Sequence, residues 1–347
     1  MIRPRIIGVV VALTLMGALF GGRSLSGGLS TAAGRSTARE FTIGFSNGFS
    51  GNTWRTEMLA SLQQEAQKKK ALLKQLIILD GQGSISKQIG DVRSLMAQHV
   101  DALLIIPNSG SSLAPVVAQA TGQGIVTVPF NLPLTGTRYN AYIGTDPAKK
   151  GARLAACLAS DLHNRGKIIA LGGIPGNSYT AAAWGAAQQV LKRTRIQLLT
   201  YRDAYWQEDR AKTITADLLA SYPHIDGIWA DGAQDAAGAV KAFLAAGRSL
   251  PVVTGDDYNG MLKLYMKYHT TYPQFNICLL SEPTWESRVA LDTALDVLQG
   301  KKVPKVRILT PTLITGANAA TYVRPTLPDG VFVDTDLPPA VLKKLFH

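Results

Sequence analysis

The chain has 347 residues, of which 46% are hydrophobic and 17% are charged, and its formal net charge is +12 at pH 7. This length exceeds what one hydrophobic core usually serves, so two domains are expected, and the composition excludes a disordered chain. The Lys and Arg residues are scattered, apart from residues 68–70, and lack the clustered basic face of a nucleic-acid-binding protein. We therefore predict no nucleic-acid partner.

Residues 1–40 are predicted to be an export signal and a flexible leader. Arg3 and Arg5 precede an uninterrupted apolar or small stretch, residues 6–20, and a Gly/Ser-rich segment follows. This order is typical of a secretory signal peptide. The apolar stretch is shorter than the ~20 residues of a membrane-spanning helix, although an uncleaved anchor is an alternative. We expect cleavage between Ser24 and Glu40 and a periplasmic location.

The chain then begins with a strand, a loop and a helix. Residues 41–45 form an apolar run, residues 46–53 form a polar loop with two glycines, and apolar residues recur at helical spacing from Trp54 onward. The loop is longer than the connection needs, and its end carries Asn52, Trp54 and Arg55. Amide, indole and guanidinium groups together suit a polar ligand with an apolar face.

Strands and helices alternate through two consecutive runs, each about the size of one open-sheet domain. The strands are nearly continuous apolar runs, as in a parallel sheet that helices cover on both faces. Ser112 and Asp146 are predicted to cap two of the helices, with Pro147 in the first turn after Asp146. The boundary between the runs falls near Thr145. The further predicted strands are residues 76–79, 102–106, 125–128, 141–143, 167–171, 196–201, 227–230, 252–255, 275–280 and 307–309.

The last predicted strand, helix and strand, within residues 275–309, cannot bury their apolar faces alone and must complete sheets already formed. We therefore predict an N-terminal lobe of residues 41–145 plus 282–306. The C-terminal lobe takes residues 146–281 plus 307–347, including an irregular tail. Ligands of open α/β sheets bind beyond the carboxyl ends of the strands, so the loops of two facing lobes would form one cleft.

Enzyme motifs give an alternative function. Residues 44–48 fit the G-x-S-x-G nucleophile elbow, which makes a secreted α/β hydrolase with Ser46 as nucleophile the alternative. The elbow needs a helix to begin directly behind the serine, and here several loop residues intervene. Glycines after two other strands do not complete a dinucleotide-binding pattern, and metal-binding motifs are lacking in the sequence. We predict no cofactor, no metal and no enzymatic activity.

Cys157 and Cys278 are the two cysteines of the chain. An oxidising compartment permits a disulfide between them. Both lie in apolar surroundings and are far apart in sequence, and buried free thiols are the interpretation that the sequence favours.

Polar and aromatic residues collect at the predicted strand ends. A sugar ring has apolar C–H faces and hydroxyl edges, so it needs aromatic platforms and hydrogen-bonding groups around it. Trp184 and Trp229 are predicted to be core residues, whereas Trp54 and Trp206 lie where loops lead into helices. Asp146 has a simpler interpretation as a helix cap. The candidate ligand-binding residues are Asn52, Trp54, Arg55, Asn131, Asp146, Trp206, Gln234, Asp256 and Glu282.

Several segments, in order along the chain, resemble one protein family. They include TIGFSNGFSGNTWRTEM at the first strand, YIGTDPAKKGARLAACLA at the domain crossing, and VVTGDD. Over residues 41–310 the chain resembles the type I periplasmic binding proteins of ABC importers, in the ribose and galactofuranose-binding branch. The resemblance implies an α/β fold of two Rossmann-like lobes with parallel sheets, joined by three hinge crossings, that close over a sugar.

The resemblance also assigns roles to individual residues. Asn52, Trp54 and Arg55 match first-loop ligand contacts, and Trp54-Arg55 is most similar to the galactofuranose-binding type. Trp206 matches an aromatic residue that packs on the sugar from the second lobe. Asp256 matches a carboxylate that binds hydroxyl groups.

Other positions depart from the family pattern. Ala183 stands where a ligand arginine is usual, Gly232 where an asparagine is common, and Phe130-Asn131 replaces an acidic and basic pair, which speaks against ribose itself. Asp146 matches the crossing motif. The resemblance implies a periplasmic protein, acting as a monomer, that captures a small carbohydrate or polyol and presents it to an ABC permease in the inner membrane. A chemoreceptor is a further partner left open.

Overall fold

The structure is a computed structural model, and it describes residues 39–346. The predicted export signal lies outside these residues. Among the helices of the described residues, none is long and apolar enough to span a membrane.

The described chain alternates strands and helices, as the sequence predicts. The strands are β1 Phe41–Asn47, β2 Leu73–Asp80, β3 Ala102–Ile106, β4 Val126–Pro129, β5 Tyr142–Gly144, β6 Arg165–Gly172, β7 Arg195–Asp203, β8 Gly227–Ala230, β9 Val252–Gly255, β10 Ile277–Leu280, β11 Val306–Ile308 and β12 Leu313–Thr315. The helices are α1 Thr53–Lys68, α2 Ile85–Ala97, α3 Gly110–Gly122, α4 Pro147–Asp161, α5 Ser178–Leu191, α6 Glu208–Ser221, α7 Ala233–Ala245, α8 Asn259–Tyr268, α9 Glu286–Leu298, α10 Ala319–Tyr322 and α11 Pro339–Leu345.

Two large sheets form the two lobes, which confirms the predicted fold class. The first has the strand order β2-β1-β3-β4 and is parallel, and the second has the order β12-β10-β9-β8-β6-β7, with β12 alone antiparallel to its neighbour. Strands β3, β4, β8, β9 and β10 are buried along their whole length, because helices cover both faces of each sheet. The strand order reverses direction at β1 and again at β6, and such a reversal leaves a crevice at the carboxyl ends of the strands.

The chain crosses between the two sheets three times. After β5 it enters α4, which packs on β8, β9 and β10. After β10 it returns to α9, which packs on α1, β3 and β4. After β11, which pairs with β5, it reaches β12, which pairs with β10. Their number agrees with the three crossings that the resemblance implies.

The helix caps agree with the sequence in one case and differ in another. Asp146 caps α4, and its Oδ1 accepts a hydrogen bond from the Lys149 amide at 3.0 Å. Ser112, however, is not the cap of α3. That helix begins at Gly110, and the Ser109 hydroxyl caps it by accepting from the Ser112 amide at 3.3 Å. Several serines in succession offer the same capping chemistry, so the sequence pattern does not select among them.

Cys157 and Cys278 form a disulfide, so the prediction of free thiols is wrong. Cys157 lies on α4 and Cys278 on β10, and these elements pack against each other. Their Cα atoms are 6.2 Å apart, a separation that a disulfide spans. The cysteines meet because β10 joins the sheet that α4 covers.

The C-terminal tail is more regular than the sequence predicts. β12 joins the second sheet, and α11 packs against α1 beside the first sheet. Four buried side chains carry this contact, and the α1 residue Ala60 packs against them. The tail therefore touches both lobes. The four side chains are Leu327, Val331, Leu337 and Leu342.

Candidate ligand-binding site in the cleft

A cavity lies at the carboxyl ends of the strands, between the two sheets. Its volume is about 50 Å³, room for roughly three to five waters and so for one compact solute. Its wall includes residues that follow β1 and β4 of the first sheet and β6 to β10 of the second. The lining residues are Asn52, Trp54, Arg55, Asn131, Leu132, Lys150, Tyr179, Trp206, Asp231, Gln234, Asp256 and Glu282.

The structure brings eight of the nine candidate residues to this cavity. Asp146 is the ninth, and it lies away from the wall, where its carboxylate caps α4 and pairs with Lys149 at 3.6 Å. Lys150, Tyr179, Asp231 and Leu132 line the cavity and were not among the candidates.

The first loop positions its three candidates by hydrogen bonds within the protein. Asn52 caps α1, since its Oδ1 accepts from the Arg55 amide at 3.0 Å. The Trp54 indole donates to the Glu282 carbonyl oxygen at 2.8 Å, which ties α1 to the second crossing. The Arg55 guanidinium donates to Asn47 Oδ1 at 2.7 Å. Burial lowers the pKa of Arg55 to about 9, so this side chain remains a cation at neutral pH.

Trp206 is held in place by its backbone, by a carboxylate and by glycines. Tyr205 and Trp206 have φ angles of 65° and 54°, left-handed values that are unfavourable for bulky residues and recur at ligand clamps. The Trp206 indole donates to Asp231 Oδ1 at 2.8 Å. A Cβ at Gly173 would lie 2.2 Å from the indole ring and one at Gly232 would lie 2.6 Å from it. Both glycines are therefore required by the position of the ring.

The Glu282 carboxylate is the meeting point of a buried network. It accepts hydrogen bonds from Asn131 Nδ2 at 3.1 Å, Thr145 Oγ1 at 3.0 Å and the Tyr179 hydroxyl at 2.6 Å. The Lys150 ammonium pairs with it at 2.7 Å. These partners come from α4, α5 and the segments that follow β4 and β5, so one carboxylate ties both lobes together at the crossings.

Within this network, Lys150 and Tyr179 hold their protons more tightly than usual. Burial alone would lower the pKa of Lys150, but the carboxylate of Glu282 raises it well above its ordinary value. Burial and the same carboxylate raise the pKa of Tyr179 well above its ordinary value. Removal of Glu282 would therefore leave the Lys150 ammonium buried without its partner, which is costly.

The second sheet contributes acidic groups. Asp256 Oδ1 accepts from the Ala233 amide at 2.8 Å, and burial raises the pKa of this aspartate to about 7. Burial raises the pKa of Asp231 to about 6, although the hydrogen bond from Trp206 acts in the opposite direction. Asp231 Oδ2 and Gln234 Oε1 are buried and have no hydrogen-bond partner among the described residues.

The sequence carries some of the information for the residues that were missed. Asp231 comes directly after the apolar strand β8, so the sequence predicts its position at the end of the strand. Tyr179 lies in the first turn of the helix after β6. Lys150 lies in the first turn of α4, four residues after the cap Asp146, and a lysine there is ordinarily exposed. Its burial is decided by Glu282, which is 132 residues away in the chain.

Ser46 lies within β1 and is fully buried, so it belongs to the strand and not to the polar loop that the sequence predicts from residue 46. Its hydroxyl contacts Gln88 Nε2 at 3.3 Å, and the same amide group donates to the Ile106 carbonyl oxygen at 2.9 Å. Ser46 is absent from the wall of the cavity. Its surroundings are those of a packed core residue, not those of an exposed nucleophile.

Comparison with known proteins agrees with this architecture. The model of the periplasmic binding protein domain family matches residues 43–302, and the chain belongs to that family. The ribose import binding protein of Bacillus subtilis is 29% identical over 267 residues, 77% of this chain and 85% of that protein. The xylitol-binding protein of Mycolicibacterium smegmatis is 30% identical over 185 residues, about half of each chain.

Solved structures show the same fold. The fructose-binding periplasmic domain of a hybrid two-component system superimposes with a TM-score of 0.72 at 26% sequence identity, and the match covers 81% of this chain and 93% of that domain. The resemblance to type I periplasmic binding proteins is therefore confirmed.

Proposed function

We propose that the chain is the solute-binding component of an ABC importer and that it holds a small carbohydrate or polyol in the cleft. The observation that carries the proposal is one small cavity with two indole rings and a polar wall drawn from both lobes. Aromatic faces suit the C–H faces of a sugar, and carboxylate and amide groups suit its hydroxyls. The names of the relatives agree, since they bind ribose, xylitol and fructose.

Binding would proceed by closure of the lobes. We assign residues 41–145 plus 282–306 to the N-terminal lobe and residues 146–281 plus 307–347 to the C-terminal lobe, with the end of the tail resting on α1. A ligand that contacts both lobes favours the closed state by the difference in its affinity for the two states. The protein would act in the periplasm as a monomer, without enzymatic activity, and deliver its ligand to an inner-membrane permease, with a chemoreceptor as a further partner.

Isothermal titration calorimetry with a panel of sugars and polyols tests this function. The panel would include ribose, xylose, fructose, galactose, allose, xylitol and myo-inositol, and at least one member should bind with a 1:1 stoichiometry. Silence across the panel, with a protein that unfolds cooperatively on heating, would reject the carbohydrate proposal.

The site assignment has its own test. Trp54→Ala removes an aromatic face from the wall and should weaken binding of the identified ligand about 10- to 100-fold. Trp285→Ala is the matched control, because this indole also donates to an internal carboxylate, Asp334, but lies outside the cavity. Equal affinity of Trp54→Ala and the unmodified protein would show that the ligand binds elsewhere.

A further inference from the structure

We propose that the C-terminal tail, residues 316–346, is a strap that ties the two lobes together when the cleft is closed and so slows the release of the ligand. This inference rests on the proposed function, since a bound solute is what the strap would retain. It follows from the hydrogen bonds of the tail with each lobe and from the short length of chain between them.

The first part of the tail is fixed to the C-terminal lobe at the start of α8. Asn259 is fully buried, and its Nδ2 donates to the carbonyl oxygens of Arg324 at 2.9 Å and Pro328 at 3.0 Å. Its Oδ1 accepts from the Arg324 amide at 2.9 Å, and its backbone amide donates to the Val331 carbonyl oxygen at 2.8 Å. One asparagine therefore holds residues 324–331 against the helix that follows β9.

The end of the tail is fixed to the N-terminal lobe, on α1 and α9. Asp336 Oδ1 accepts from the Ser61 hydroxyl of α1 at 3.2 Å, and its Oδ2 pairs with the Arg288 guanidinium of α9 at 2.9 Å. Leu342 of α11 is 2% exposed and belongs to the buried cluster that packs against Ala60 of α1. These contacts are all with the lobe opposite to α8.

A short stretch of chain, Phe332 to Asp334, joins the two fixed parts. The Phe332 amide donates to Glu57 Oε2 of α1 at 2.9 Å, while its ring packs edge-on against Tyr258 of the C-terminal lobe, with the centroids 6.0 Å apart. The Asp334 amide donates to Asp257 Oδ2 of that same lobe at 2.6 Å. Three residues span at most about 10 Å, so the tail has little slack between the lobes.

The tail runs from the second crossing to the rim of the cleft. The Asp334 carboxylate accepts from the Ser281 hydroxyl at 2.6 Å and from the Trp285 indole at 3.0 Å, at the two ends of that crossing. A Cβ at Gly330 would lie 3.0 Å from the side chain of Thr53, and both chain neighbours of Thr53 line the cavity. An opening motion that separates α1 from α8 must therefore break one of the two sets of tail contacts.

These contacts act on opening without touching the ligand. Residues of both lobes enclose one small cavity, so the tail contacts are those of the closed arrangement, and among the described residues that line the cavity none belongs to the tail. Contacts made in the closed state and lost on opening stabilise the closed state alone. Because the ligand leaves after the lobes open, the strap should lower the rate of release.

Two substitutions weaken the strap outside the cleft. Asp336→Asn removes the charge that pairs with Arg288, and Leu342→Ala removes a buried side chain of α11. Each should raise the dissociation rate constant of the ligand identified by calorimetry about three- to tenfold, measured by stopped-flow displacement. Because the two variants act at separate contacts, either one decides the question if the other does not fold.

Each variant has a matched control. Asp296→Asn removes a carboxylate of the same helix, α9, that pairs with Lys301 at 2.7 Å away from the tail. Lys343→Ala changes the exposed residue next to Leu342. Both controls should release the ligand at the rate of the unmodified protein. A release rate in Asp336→Asn and Leu342→Ala equal to that of the controls would overturn the inference and leave the proposed function intact.

A measurement without ligand separates the strap from the proposed function. If no member of the panel binds, the proposed function fails, and small-angle X-ray scattering of the unliganded protein decides the inference. Asp336→Asn and Leu342→Ala should then each have a larger radius of gyration than the unmodified protein and the controls, because the lobes are held together less firmly. Equal radii in the variants and the controls would overturn the inference.

Discussion

Glu57 is a buried carboxyl group at the point where α1, the second crossing and the tail meet. Its Oε2 accepts from the Phe332 amide at 2.9 Å, and its Oε1 contacts the Thr284 hydroxyl at 2.9 Å. Burial raises the pKa of Glu57 from 4.5 to about 8, although these hydrogen bonds act in the opposite direction. The folded protein therefore holds the proton of Glu57 more tightly than the unfolded chain does.

This shift predicts that Glu57 destabilises the protein as the pH rises. An acid with a raised pKa contributes its full stability below its unfolded pKa, and the contribution is lost as the pH rises through the folded pKa. Between about pH 5 and about pH 8, the unmodified protein should lose on the order of 2–4 kcal/mol more free energy of unfolding than Glu57→Gln. Urea unfolding at several pH values measures the difference.

Glu40→Gln is the control for Glu57→Gln, because it makes the same chemical change at an exposed position. Parallel stability curves for Glu57→Gln and the unmodified protein would contradict the predicted shift.

Individual site residues are predictable from the sequence where a local pattern positions them. Asn52, Trp54 and Arg55 follow a strand directly and open a helix, so their position at the cleft depends on neighbours in the chain. The Lys150 ion pair depends on Glu282, which joins it only when the second crossing is complete. A long-range pair of this kind leaves no periodicity in the sequence, and the same holds for the disulfide.

At the scale of elements, the apolar runs predict the central strands, among them β3, β4 and β8, because these strands are buried on both faces. The tail elements do not follow this rule. Their buried residues, among them Leu337 and Leu342, are separated by prolines and polar residues, and they cluster with one another and with Ala60 of α1 without a regular spacing in the sequence. Their fold is decided by the surface that α1 presents, which explains why the sequence predicts an irregular tail.

Removal of one side chain measures how strongly α11 is attached. Leu342 is 2% exposed within the tail cluster, so Leu342→Ala should lower the free energy of unfolding by about 2–3 kcal/mol, through lost burial and a remaining cavity. Lys343→Ala, at the next position and exposed, should change it by no more than about 0.5 kcal/mol. Urea unfolding gives both values, and a Leu342→Ala value as small as that of Lys343→Ala would mean that α11 is not docked in solution.

For the whole molecule, the two runs of alternating elements predict two lobes. The crossings are predicted because the last strands and helix, within residues 275–309, cannot bury their apolar faces alone and must join sheets already formed. The disulfide adds a covalent tie between α4 and β10. Its cysteines are 121 residues apart, and a crosslink over so long a segment restricts the unfolded chain, typically by about 2–4 kcal/mol of stability.

The contribution of the disulfide to stability is tested by replacing both cysteines. Cys157→Ser/Cys278→Ser should unfold at lower urea, with a loss of about 2–4 kcal/mol. A reducing agent should destabilise the unmodified protein and leave the double variant unaffected. Two thiols that react under denaturing conditions before reduction would show that the bond does not form.

The hydrogen bond between the Trp206 indole and Asp231 affects the fluorescence of this tryptophan. Excitation moves charge across an indole ring, so the emission of a tryptophan responds to a charged group beside it. The chain has five tryptophans. Among them, Trp206 donates its indole N–H to a carboxylate that lines the cavity. A solute that changes the charge or the water content of the cleft therefore alters the fluorescence of this residue, and the protein reports the occupancy of its own site without an added dye.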